Sequence, residues 1–184
     1  IQLKDVQALL ELDENILAKL KSALDQSTSH DSILLSETTL FSPILQPPTI
    51  RDFMIFEEHA TAQGTRERQE AWYRMPIFYF SNTLCVLGTE NSFPHPDTCE
   101  RLDYELEIAC IIGKEGRNIP ASEAMQYIAG FCIFNDWSCR DIQADESSVG
   151  LGPAKGKDSA SSLGPWIVTT DEMAPFLKEG RLHV

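Results

Sequence analysis

Apolar residues Val6, Leu9, Leu10, Ile16, Leu17, Leu20 and Leu24 recur at three- and four-residue steps, the period of one helix face. With Asp13 placed as a cap, they predict two short N-terminal helices. DQSTSHDS (25–32) reads as a loop, and LFSPILQPPT (40–49), with its prolines, as extended chain. We set a boundary near residue 45, with a helical segment over 1–45 and the main domain over 46–184. RDFMIFEEHATAQGTRERQEAWYR (51–74) is expected to be helical in its middle. The period then changes. PIFYFSN, LCVLG, RLDYELEIACIIGKEG and YIAGFCIFND are short strand-like runs separated by Pro and Gly, which predicts an α+β, β-rich fold. MAPFLKEGRLHV looks like a strand beginning without a partner, as in a domain lacking its C-terminal part.

Composition narrows the function classes. A chain of 184 residues with 42% hydrophobic and 23% charged residues has enough apolar material for one real core. A net charge of −13 argues against nucleic acid and anionic membrane as partners, because phosphate binding is led by Lys and Arg. No apolar run reaches membrane-spanning length, and IQLKDVQALLELDE lacks the regions of a secretion signal, so the expected location is the cytoplasm. The five cysteines form no CxxC pair, and Cys110 and Cys132 fall in apolar runs that suit small buried thiols. No His stands near a cysteine pair, which disfavours zinc.

The unusual feature is acidic. On one strand Asp103, Glu105 and Glu107 would share a face, with Tyr104, Leu106 and Ile108 on the other. An alternating acidic strand also describes a half-exposed strand with a solvated side. Asp136 closes the next apolar run, where a neighbouring strand could bring a third carboxylate to the same edge. Oxygen ligands without Cys or His favour a hard cation, Mg²⁺ first, then Mn²⁺ or Ca²⁺.

Beyond Asp136, Ser138 and Asp141 are spaced like a capping box, and Arg140 and Gln143 would share the face of the helix that follows. VGLGPAKGKDSASSLGPW (149–166) is rich in glycine and carries Lys155 and Lys157. Its spacing misses that of a phosphate loop, since Asp follows the lysine where Ser or Thr should ligate magnesium. Two readings stay open: a lysine aimed at a carboxylate or enolate, or a solvated loop.

RDFMIFEEHA, LDYELEIA, NDWSCRDIQ and GLGPAKGKDSASSLGPWIV, in this order, resemble the fumarylacetoacetate hydrolase superfamily over roughly residues 45–176. The resemblance implies a mixed β-sandwich roll that binds Mg²⁺ through Glu105, Glu107 and Asp136, joined by Asp52, seven residues before His59. It implies His59 as general base, Gln143 and Lys157 as stabilisers of developing negative charge, and Arg68, Tyr79 and Arg140 as substrate contacts. It further implies a homodimer acting on a small anionic keto acid, with Glu57 or Glu58 available to orient His59. ADESSVGLGP departs from the aromatic-rich stretch of fumarylacetoacetase itself and puts Ser147 or Ser148 where a substrate-binding Tyr stands.

The expected reaction is hydrolysis of a C–C bond in a 2-oxo acid or 1,3-diketone. Isomerase, hydratase and decarboxylase chemistry on the same site are the alternatives, with a noncatalytic fragment as a third reading.

Overall fold

The computed structural model describes residues 6–10, 12, 14–28, 32–61, 64, 67, 69–178 and 181–182. The helical spacing near the N-terminus becomes α1 (Val6–Leu10) and α2 (Glu14–Asp25); Asp13, the expected cap, lies outside the described residues. Next come β1 (Arg51–Phe53), α3 (Glu57–Ala60), α4 (Glu70–Arg74), β2 (Phe78–Phe80) and β3 (Val86–Leu87). They are followed by β4 (Leu102–Asp103), β5 (Leu106–Ile112), β6 (Ile128–Asp136), β7 (Ser138–Cys139) and α5 (Arg140–Ser148). The chain finishes through β8 (Ser161–Leu163), β9 (Val168–Thr169), α6 (Thr170–Met173), β10 (Leu177–Lys178) and β11 (Arg181–Leu182). The class is α+β and β-rich, as the strand spacing predicts. No helix among the described residues is long and apolar enough to cross a membrane.

The central sheet runs β3-β8-β6-β5, with β9 also paired to β6. It is mixed, because β3 and β8 are parallel while β6 is antiparallel to β5, β8 and β9. Directly opposite residues of antiparallel strands share a face. The pairs Glu107↔Phe134 and Ala109↔Cys132 on β5–β6, with Phe134↔Leu163 on β6–β8, therefore line one side. That side is the core: Cys132, Phe134 and Leu163 are buried with Ile44, and Val86, Ala109, Ile111, Leu10 and Ile50 pack against them. Leu106, Ile108, Ile112 and Ile133 point to the other side and are exposed. Asp136 ends the buried row that begins with Cys132 and Phe134, so β6 carries a carboxylate straight out of the apolar core. Truncating a core Phe such as Phe134 costs about 3–5 kcal/mol, more than a surface ion pair supplies, so the core fixes where that carboxylate sits.

Four expectations need correction. The run from 101 to 112 is two strands, not one: Tyr104 and Glu105 interrupt it, where the Glu105 N–H donates to the Asn135 side chain at 3.0 Å. Ser138 does not cap α5, whose N-cap is Cys139 without a side-chain bond. The hydroxyl is buried and donates instead to the Asp136 carbonyl at 2.9 Å. Cys110 is exposed, because it falls on the outer face of β5. The expected lone strand at the end is paired, β10 with β11, as a small antiparallel hairpin.

Candidate metal and active site

Three chain segments supply the acids. β1 brings Asp52, held beside Tyr79 by the register of β1 with β2; β5 brings Glu107; β6 brings Asp136. One carboxylate oxygen from each lies within 4.8 Å of the others. Asp136 is fully buried, and its Oδ1 and the Asp52 Oδ2 are buried with no hydrogen-bond partner among the described residues. A buried carboxylate oxygen left unpaired is costly, and a hard cation with oxygen ligands removes that cost. The donor set therefore fits Mg²⁺ or a similar ion.

Electrostatics separate these acids from their neighbours. Burial raises Asp52 and Asp136, although Glu107 and Tyr79 beside Asp52, and Lys157 and Tyr79 beside Asp136, pull the other way. Burial also raises Glu107, and the charges of Asp52 and Asp136 add to it, pushing its carboxyl up to about 9. Two carboxyl groups crowded into one buried site disfavour joint ionisation, so the Asp52–Glu107 pair favours holding a proton. The Tyr79 hydroxyl donates to Asp136 Oδ2, and burial followed by the Asp136 charge raises its own pKa.

Glu105 has a different setting. Its Oε2 accepts from Lys157 Nζ at 2.6 Å and its Oε1 from Arg140 Nη1. Burial would raise it, but those two cations outweigh burial and hold it below the usual glutamate value. Arg140 Nε also donates to Asp103 Oδ2 at 2.9 Å, and its Nη1 donates to Gln143 Oε1 at 3.1 Å. Arg140 and Gln143 thus share a helix face, as their spacing predicts. Lys157 joins the two settings: its ammonium is 2.5 Å from Asp136 Oδ2 and 2.7 Å from the Ser138 hydroxyl. Only 3% of its side chain is exposed, although the loop leading to it faces solvent at Val149, Leu151, Ala154 and Lys155.

The structure thus brings Asp52, Tyr79, Glu105, Glu107, Asp136, Arg140, Gln143 and Lys157 into one network, with Glu105 outside the close trio. His59 stands exposed on α3, and its ring makes no hydrogen bond or ion pair among the described residues. Glu57, one of its expected orienting acids, accepts from the Tyr73 hydroxyl at 2.6 Å. Arg68 lies outside the described residues. Ser138 and Ser161 were missed as site residues. Ser161 sits opposite Asp136 in the β6–β8 register, its buried hydroxyl without a partner among the described residues, and a polar strand, SSL, beside an apolar one was the available signal.

Residues 49–184 match the family model for the fumarylacetoacetate (FAA) hydrolase C-terminal domain. The chain belongs to the fumarylacetoacetate hydrolase family. It is 32% identical over 197 residues to fumarylacetoacetase of Oryza sativa subsp. japonica, a match covering 95% of this chain and 44% of that enzyme. The chain therefore spans less than half the length of that relative. Among solved structures, it is similar to the 5-carboxymethyl-2-hydroxymuconate delta-isomerase of Mycobacterium smegmatis, with a TM-score of 0.57 and 27% identity over 74% of this chain and 51% of that one. A probable 2-hydroxyhepta-2,4-diene-1,7-dioate isomerase of Mycobacterium abscessus shares the fold, with a TM-score of 0.65 and 24% identity over 90% of this chain and 54% of that one.

Proposed function

We propose that the protein is a divalent-metal-dependent hydrolase that cleaves a C–C bond in a 2-oxo acid or 1,3-diketone such as an acylpyruvate. The observation that carries this reading is the trio Asp52, Glu107 and Asp136, with oxygens within 4.8 Å, beside the buried ammonium of Lys157. These three carboxylates would hold Mg²⁺, which would supply Lewis-acid polarisation of the substrate's keto oxygens.

The chain's own residues account for the rest. His59 takes a proton from the attacking water, the role the family resemblance gives it. As the C–C bond breaks, an enolate develops, and Lys157 with Gln143 places positive charge and an N–H donor against it. Arg140 is anchored to Asp103 and Glu105, so it holds Gln143 by its amide oxygen and leaves the amide N–H₂ free to turn toward substrate. With Arg68 and Tyr79 it forms the proposed contacts to the anionic substrate. The same resemblance supports a homodimer.

The likeness to the M. smegmatis isomerase supports a second reading, in which loss of a carbon-bound proton rather than C–C cleavage gives the enolate, and reprotonation at another carbon moves a double bond. Incubating the protein with an acylpyruvate, oxaloacetate and 2-hydroxyhepta-2,4-diene-1,7-dioate, with Mg²⁺ or with chelator, tests both. Mg²⁺-dependent release of pyruvate from the acylpyruvate is the expected result. Double-bond migration without cleavage would favour the isomerase, and no turnover of any of the three would overturn both.

A further inference from the structure

The 3₁₀ turn Lys155–Lys157 meets α5 through an unusual contact. The Glu146 carboxylate accepts three consecutive backbone N–H groups of that loop: Ala154 at 3.0 Å, Lys155 at 2.5 Å and Gly156 at 3.1 Å. A run of amides converging on one anion resembles a phosphate cradle, but here the anion comes from within the chain. Two glycines allow the close approach. A Cβ on Gly156 would stand 2.9 Å from the Gln143 Cβ and backbone N, and Gly152, at φ +112°, would bring one to 3.1 Å of the Glu146 Cβ. Gln143 and Glu146 are three residues apart, so one face of α5 carries the Arg140–Gln143 contact and the loop anchor together. Directly after the anchored amides, the Lys157 N–H closes on the Ala154 carbonyl at 3.0 Å, and the side chain then runs inward to Asp136, Glu105 and Ser138.

We propose that Glu146 is a positioning residue: by pinning the 154–156 amides to α5 it sets the reach of Lys157 into the acid cluster. The proposal rests on the reading of Lys157 as the charge stabiliser given above. Charge matters as well as shape, since a carboxylate accepts three N–H bonds more strongly than an amide oxygen does. The three N–H groups, with the charge of Lys155, outweigh the burial that would raise Glu146 and hold it below the usual glutamate value.

A double-mutant cycle with Glu146→Ala and Lys157→Ala, accompanied by amide hydrogen exchange, tests it. In Glu146→Ala, exchange across 154–157 should quicken about tenfold or more while β5 and β6 stay protected. A displaced Lys157 should cost about 10- to 100-fold in kcat with KM little changed. In the Lys157→Ala background the same change should cost less than about 2-fold, because the residue acts only through Lys157. Glu146→Gln should recover part of both losses. Unchanged exchange at 154–157, or an equal loss of kcat in the Lys157→Ala background, overturns the proposal. If Glu146→Ala does not fold, Glu146→Gln carries the same two readouts. If the unmodified protein turns over no keto acid, the reaction assigned above fails, and the exchange experiment still decides whether Glu146 holds the loop.

Discussion

Glu105 and Glu107 stand two residues apart and occupy opposite halves of one site. On the Glu105 side, Arg140 and Lys157 meet its two carboxylate oxygens, and Arg140 extends to Asp103. On the Glu107 side are two more acids, Asp52 and Asp136, with Lys157 reaching only Asp136. Burial acts the same way on both glutamates, yet one is held low and the other is pushed up to about 9. Neighbouring charge sets the difference, with cations beside Glu105 and further acids beside Glu107. The first half is neutralised by the chain itself, which suits a fixed scaffold for Gln143. The second sets three acids against the single ammonium of Lys157, so a proton or a bound cation must balance the rest, which suits a metal site.

The comparison can be broken at several points. Lys157→Ala removes the group shared by both halves and should lower kcat about 10²- to 10³-fold with a smaller change in KM. Steady-state kinetics on an acylpyruvate check this, and a change in KM alone would move Lys157 to simple substrate binding. Glu107→Gln should weaken Mg²⁺ binding at least about tenfold, read by calorimetry. Glu105→Gln should weaken it by less than about threefold, because that carboxylate is already spent on Arg140 and Lys157. Equal losses in the two variants would erase the distinction between the halves.

The smallest effect is a pH dependence of stability in chelator-treated protein. In the fold Glu107 keeps its proton up to about pH 9, whereas in the unfolded chain it loses it near the ordinary value of 4.5. Between those limits the folded state binds more protons, so this contribution is complete below the ordinary value and fades as pH rises toward 9. Glu105 works in the opposite sense, stabilising above its unfolded value and losing that contribution as the pH falls. Thermal unfolding from pH 6 to 9 should show a falling midpoint, about 2–4 °C for each kcal/mol lost, and Mg²⁺ should flatten it. A midpoint that rises over this range without metal would contradict the shift assigned to Glu107.

Local pattern made some of this visible and left some hidden. The apolar rows of β5 and β6 and the acid that ends β6 were legible, because alternation and strand pairing decide which residues share a face. The Arg140–Gln143 contact followed from helical spacing. Asp52 is remote in sequence from the other acids, and only the family resemblance joined it to them. The division of labour between Glu105 and Glu107 was not legible: it depends on Lys157, about fifty residues downstream, and on a break at Tyr104–Glu105 that alternation does not foresee. Ser138 misled for a related reason, since a hydroxyl spaced to cap a helix found a buried lysine instead.

The central claim is that Asp52, Glu107 and Asp136 exchange a retained proton for a divalent cation. Titrating Mg²⁺ into the protein at pH 7 in two buffers of different ionisation enthalpy measures that exchange directly. About one proton should be released per ion bound by the unmodified protein, and almost none by Glu107→Gln. Tight Mg²⁺ binding with no proton release, and the same affinity in both proteins, would contradict it.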